Sequence, residues 1–154
     1  MWLLHATELR LQQFSPDDVP NYAILSHRWE ANNQEVTYQD LTTGVGSHKM
    51  GYRKIQFCAE RAGRDGLQYF WVDSCCIDKG NLVELTAAIN SMFRWYQNAA
   101  KCYVYLSNIS MGKYTLSSEP IWESDFRRSQ WFTRGWTLQE LLAPRSVEFF
   151  FLGW

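Results

Sequence analysis

The chain has 154 residues, 15 Lys and Arg against 16 Asp and Glu, and 46% hydrophobic content. That suffices for one domain with one core, and the near-cancelled charge excludes a broad field for recruiting nucleic acid or an anionic membrane. No run of 18 apolar residues occurs, so no membrane-spanning helix is expected.

The first segment alternates, with Leu9, Leu11 and Gln13 on one side and Glu8, Arg10 and Gln12 on the other. Together with Trp2–Leu4 this period of two predicts a short hairpin turning at His5-Ala6-Thr7. Pro16 and Pro20 bracket an acidic loop. The apolar run 22–26 predicts a strand covered on both faces, ending in the polar cluster Ser26-His27-Arg28-Trp29-Glu30. The polar stretch through Gly44, Gly46 and Gly51 reads as a long loop. A helix is predicted over 52–62, with Ile55, Cys58, Ala59 and Ala62 on one face and Gly63 and Gly66 as its stop.

A second buried strand over 69–72 ends at Asp73-Ser74-Cys75-Cys76-Ile77-Asp78. The strongest helix signal covers 82–98, where Leu85, Ile89, Met92, Phe93 and Tyr96 share a face. A third strand, 102–106, precedes a stretch, 108–130, that reads as a mobile loop. A helix over 137–142, stopped by Pro144, and a strand over 147–152 complete the chain. Apolar strands alternating with helices predict a mostly parallel α/β sheet, in which ligands bind at the carboxyl ends of strands. Three polar clusters, 26–30, 73–78 and 136–140, are therefore expected on one rim.

Four cysteines, Cys58, Cys75, Cys76 and Cys102, include an adjacent pair but no CxxC, and no secretory leader is read at the start. A reduced, cytoplasmic chain is expected rather than a disulfide framework. The chain also carries 8 Trp, 8 Tyr and 9 Phe, residues that fill cores or line pockets and interfaces.

The most informative stretch is 132–144. Trp136 and Glu140, four apart at a helix start, share one side of that helix. Thr137-x-x-Glu140 matches a capping box, with Trp136 and Leu141 as its staple. Alternatively, a carboxylate beside an aromatic wall suits cleavage of an N-glycosidic bond to a cationic ring such as nicotinamide. The ring leaves neutral, no general acid is required, and the carboxylate stabilises the oxocarbenium ion.

Asp73 and Asp78 either accept ribose hydroxyls, bind magnesium in a phosphohydrolase, or serve as turn residues. Cys75 and Cys76 are nucleophiles or small buried hydrophobes, and His27 is a base or a residue bonded to backbone. Arg28, Arg134 and the pair Arg127-Arg128 meet a diphosphate or solvent. No histidine–cysteine spacing fits zinc, and no phosphate loop is present, so no metal is expected.

The runs 22–29, 71–79, 88–96 and 131–141, in this order and spacing, resemble the heterokaryon incompatibility (HET) domain of filamentous fungi over nearly the whole chain. Several expectations follow from the resemblance. The chain is one HET domain, 1–154, excised from or standing in for a larger protein whose other regions sense or assemble. Its role is to trigger cell death after incompatible fungal cells fuse. The family is in turn similar to TIR domains, whose flavodoxin-like fold can cleave NAD.

The implied reaction is that of an NAD glycohydrolase with Glu140 catalytic and NAD as substrate, with no cofactor. Ser26, His27, Arg28, Trp29, Asp73, Cys75, Arg134 and Trp136 would bind the substrate. A homo-oligomer is implied for the active form. The alternative is a non-enzymatic TIR-like signalling or oligomerisation module.

Overall fold

The computed structural model describes residues 1–31, 33–110 and 121–152. Among them, six strands form one sheet: β1 (Trp2–His5), β2 (Leu11–Gln13), β3 (Tyr22–His27), β4 (Tyr69–Trp71), β5 (Lys101–Ser110) and β6 (Val147–Leu152), in the order β2-β1-β4-β3-β5-β6. β3 pairs in parallel with β4 and β5, and β5 pairs in parallel with β6. Counted alone, the parallel strands run 2-1-3-4, the start of the flavodoxin-type order, whose reversal creates a ligand crevice at the strand ends. The hairpin β1–β2 is antiparallel and adds to the free edge of β4.

Among the described residues, five α-helices accompany the sheet: α1 (Tyr38–Thr43), α2 (Tyr52–Arg64), α3 (Leu82–Asn98), α4 (Ile121–Arg127) and α5 (Thr137–Leu142). α1 and a short 3-10 turn over Gly46–His48 lie where a loop is expected from the glycines. Thr37 and Asp40 cap α1 reciprocally and Gly44, at φ 75°, ends it. α2 runs two residues past the predicted end. Gly66, at φ 73°, then lets Leu67 N–H donate to Ala62 O at 2.8 Å and Gly66 N–H to Gly63 O at 3.2 Å, a Schellman closure.

α3 has the predicted bounds, because Asn81 accepts from Val83 N and Glu84 N at its start. Its buried stripe differs from the prediction: Ala88, Met92 and Tyr96 face the sheet, while Ile89 and Phe93 are exposed. Tyr96 fixes this rotation through its hydroxyl, which donates to Leu25 O at 3.3 Å on β3. Tyr22 Oη donates to Trp95 O at 2.6 Å from the same strand.

β3 is buried along its whole length. Its alternation sends Tyr22, Ile24 and Ser26 toward α3 and Ala23, Leu25 and His27 toward α2. β6 is split likewise: Phe150 meets Phe57 of α2, whereas Phe149 and Phe151 meet Phe126 of α4. The stretch expected to be a loop over 108–130 therefore contains the end of β5 and α4, and residues 111–120 lie outside the described part. No helix among the described residues is long and apolar enough to cross a membrane.

The stripe on α3 makes a direct expectation. Met92→Ala should cost about 2–5 kcal/mol, whereas Phe93→Ala should stay within about 0.5 kcal/mol, both read from urea unfolding midpoints.

Candidate functional site

Ser26 is the penultimate residue of β3 and fully buried. Its Oγ accepts from Trp131 Nε1 at 2.7 Å and donates to Glu140 Oε2 at 2.5 Å. Arg134 clamps the same carboxylate, with Nη1 donating to Oε2 at 3.0 Å and Nη2 to Oε1 at 3.1 Å. Glu140 is 1% exposed, so this is a buried, fork-shaped ion pair with a third hydrogen bond. Deleting one member of such a pair typically costs about 3–5 kcal/mol, since it strands the other charge.

The backbone around Trp131 supports the arrangement. A 3-10 turn over Gln130–Thr133 is capped by Ser129, and Thr137 Oγ1 donates to Trp131 O at 2.6 Å. The capping box expected at Thr137 and Glu140 is consequently not formed. Trp136 holds the N-cap position without a side-chain bond, Thr137 spends its hydroxyl on Trp131, and the Glu140 carboxylate turns to Ser26 and Arg134. Trp136 is half exposed rather than stapled down.

On the opposite side of β3, His27 is buried with Nε2 3.4 Å from Glu35 Oε1 and Nδ1 3.9 Å from Asp73 Oδ1. Lys54, from the apolar face of α2, donates to Glu35 Oε2 at 2.7 Å and to Arg28 O at 2.8 Å, and Glu30 N donates to Glu35 Oε2 at 2.6 Å. Burial pushes the Glu35 carboxyl up, but His27 and Lys54 outweigh it and hold its pKa at about 2. This cluster pins the chain that leaves β3.

That chain carries Arg28 and Trp29. The indole Nε1 of Trp29 donates to Asp73 Oδ1 and Oδ2 at 3.0 and 2.9 Å, and the ammonium of Lys79 sits 3.7 Å from the centroid of the Trp29 ring. Burial draws Lys79 below the ordinary lysine pKa against the attraction of Asp73. A cavity of about 440 Å³ opens here, at the carboxyl ends of β3 and β4. Its polar lining is Arg28, Asp73, Lys79 and Arg134, its aromatic walls are Trp29 and Trp136, and Ile77, Leu85, Ile89 and Met92 supply the apolar part. The size is ordinary for a small-molecule site.

The three polar clusters thus meet on one rim. Of the expected binding residues, Arg28, Trp29, Asp73, Arg134 and Trp136 line the cavity. Ser26, His27 and Glu140 lie behind its walls and do not line it. Cys75 is fully buried, absent from the lining, and carries a thiol that burial pushes well above its ordinary pKa. Asp78 accepts from Gln39 Nε2 at 2.7 Å and Gly80 N at 3.0 Å, which is turn chemistry. Among the described residues no three His, Cys, Asp or Glu side chains are grouped to share a metal ion.

The model of the family described as "Heterokaryon incompatibility protein (HET)" matches residues 22–123, well over half of the sequence. The chain belongs to this family. The HET chain is 59% identical over 132 residues to "Vegetative incompatibility protein HET-E-1" of Podospora anserina. That alignment covers 86% of the HET chain and 10% of the relative, so the HET chain spans only a small part of the relative's length. No solved structure matches it.

Four residues of the site lie outside the expected binding and catalytic residues: Trp131, Lys79, Lys54 and Glu35. Lys54 had a signal, since it stands beside Ile55 and one turn before Cys58 on the apolar side of α2. Glu35 had none.

Glu35 generates a pH test. Its folded pKa of about 2 lies below the ordinary 4.5, so its contribution to stability is complete above 4.5 and is lost as pH falls toward 2. That loss should be on the order of 3 kcal/mol. Denaturant titrations of Glu35→Gln across this interval should lack that portion of the slope; an unchanged slope would assign it to other carboxylates.

Proposed function

We propose that this HET domain is a cell-death effector of fungal incompatibility that cleaves NAD at the bond between nicotinamide and ribose. The supporting observation is the cavity lining: two tryptophans, three cations and one carboxylate at the ends of parallel strands. NAD offers the complementary set, a flat cationic ring, a diphosphate and ribose hydroxyls. The resemblance to TIR domains and the membership of the HET family point the same way.

Trp136 and Trp29 would wall the nicotinamide ring and keep water from its face. Arg28, Lys79 and Arg134 would balance the diphosphate. Asp73, already aligned by Trp29, would accept a ribose hydroxyl. Glu140 would supply the negative charge that stabilises the oxocarbenium ion. The C–N bond breaks with its electron pair going to nicotinamide, water adds to the ribose carbon, and its proton passes to solvent. Ser26 would act from behind the walls, holding Glu140, with His27 3.9 Å behind Asp73. In the full-length protein, sensor or assembly regions and self-association would control the event.

One feature favours a second, non-enzymatic function as an assembly module. Leu82, Val83 and Phe93 of α3 and Leu138 and Leu142 of α5 are all exposed, an apolar display beyond what the core needs.

Incubation of the purified chain with NAD, free and fused to a dimerising coiled coil, should release nicotinamide. Glu140→Gln should lower the rate by about 100-fold or more, the scale of losing one preorganised electrostatic group. Equal turnover by a folded Glu140→Gln would remove Glu140 from the chemistry. Toxicity with no nicotinamide from either form would favour the assembly module.

A further inference from the structure

Arg134 occupies two settings at once. It lines the cavity beside Trp136, Arg28 and Lys79, and both its terminal nitrogens are bonded to Glu140, which does not line the cavity. Its side chain is 20% exposed, against 1% for the carboxylate. A ligand in the cavity therefore meets the guanidinium and not the carboxylate. Glu140 cannot take part in an event in the cavity until the guanidinium lets go.

We infer that Arg134 is an anion-released latch on Glu140: a diphosphate in the cavity takes over the guanidinium and thereby uncovers the carboxylate. The chemistry of the groups permits the exchange. The guanidinium fork fits a carboxylate and a phosphate equally well. Arg28 and Lys79 line the same cavity, so an anion that spans all three cations is favoured there. Ser26 stays behind on Glu140 Oε2 and keeps the released carboxylate aligned, while Trp131 keeps Ser26 aligned. The resting domain is thus closed by its own ion pair, and only an anionic ligand opens it. The uncovered carboxylate acts on the ligand only if the proposed NAD cleavage is correct; the latch itself rests on the geometry alone.

The latch and the opposite arrangement, in which Glu140 holds Arg134 ready for the anion, predict opposite signs in one measurement. ADP has the diphosphate but no nicotinamide bond, and its affinity can be read by calorimetry on the full chain. If part of the binding is spent on opening the latch, Glu140→Gln should bind ADP about tenfold or more tighter than wild type, because the competent state no longer has to be populated at a cost. Glu140→Ala, which removes the carboxylate outright, should change affinity in the same direction. Near-UV circular dichroism verifies the fold, and Glu140→Ala decides the sign if Glu140→Gln does not fold. Adenosine, lacking the anion, should bind all forms alike.

Equal or weaker ADP binding by the folded variants overturns the latch, and so does an equal gain for adenosine. Tighter ADP binding with no nicotinamide released from NAD by the wild type refutes the cleavage proposal and leaves the latch standing. Nicotinamide release with unchanged or weaker ADP binding in the variants refutes the latch alone.

Discussion

The buried ion pair between Arg134 and Glu140 is the constraint on which the site depends. It joins α5 to the turn before it, and through Ser26 it ties both to the central strand of the sheet. A pair of this kind is a weak source of stability, since taking two charges out of water costs about what their attraction returns. Apolar side chains of similar volume would fill the space as well. What the pair does supply is position: it sets the guanidinium at the cavity wall and the carboxylate one layer behind.

The sheet explains why one strand can organise both walls. Alternation along β3 sends Ser26 to the α3 and α5 side and His27 to the α2 side, so two consecutive residues anchor two separate polar clusters. The first cluster controls Arg134 and Glu140. The second, through Glu35 and Lys54, holds Arg28, while His27 approaches Asp73. Neither Ser26 nor His27 opens to the cavity itself. Of the expected binding residues, Arg28, Trp29, Asp73, Arg134 and Trp136 do line it, each next to a buried partner or its chain neighbour.

The fold class and most elements were legible in the sequence because periodicity and caps are local. The bounds of α3 followed from its apolar period, and the structure adds the Asn81 cap at its start. Its buried stripe did not, because Ile89 and Phe93 satisfy a helical period as well as Ala88 does. The choice between them lies with Tyr96 and its bond to Leu25 O on β3, a contact between residues 71 apart in the chain. Two matches to the capping-box pattern in this chain show the same limit. Thr37-x-x-Asp40 forms one, with Thr37 N donating to Asp40 Oδ2 at 2.8 Å and Asp40 N to Thr37 Oγ1 at 3.2 Å. Thr137-x-x-Glu140 has equivalent letters and does not. Arg134 and Ser26 offer Glu140 charged and hydroxyl donors in a buried setting, which outweigh the roughly 1 kcal/mol of a cap.

The difference between those two boxes also bears on function. Asp40 is partly solvated and satisfied by its own turn and Lys49, so it performs a structural task that the local sequence fully describes. Glu140 is drawn away from the equivalent local task by long-range partners, and its helix begins without a side-chain cap as a result. Giving up a cap in order to bury a charge next to a cavity is a local loss. Such departures from local consistency are where a fold spends stability on something other than folding. In this chain the departure falls at the carboxyl ends of parallel strands, beside the cavity, where an α/β sheet places its ligands.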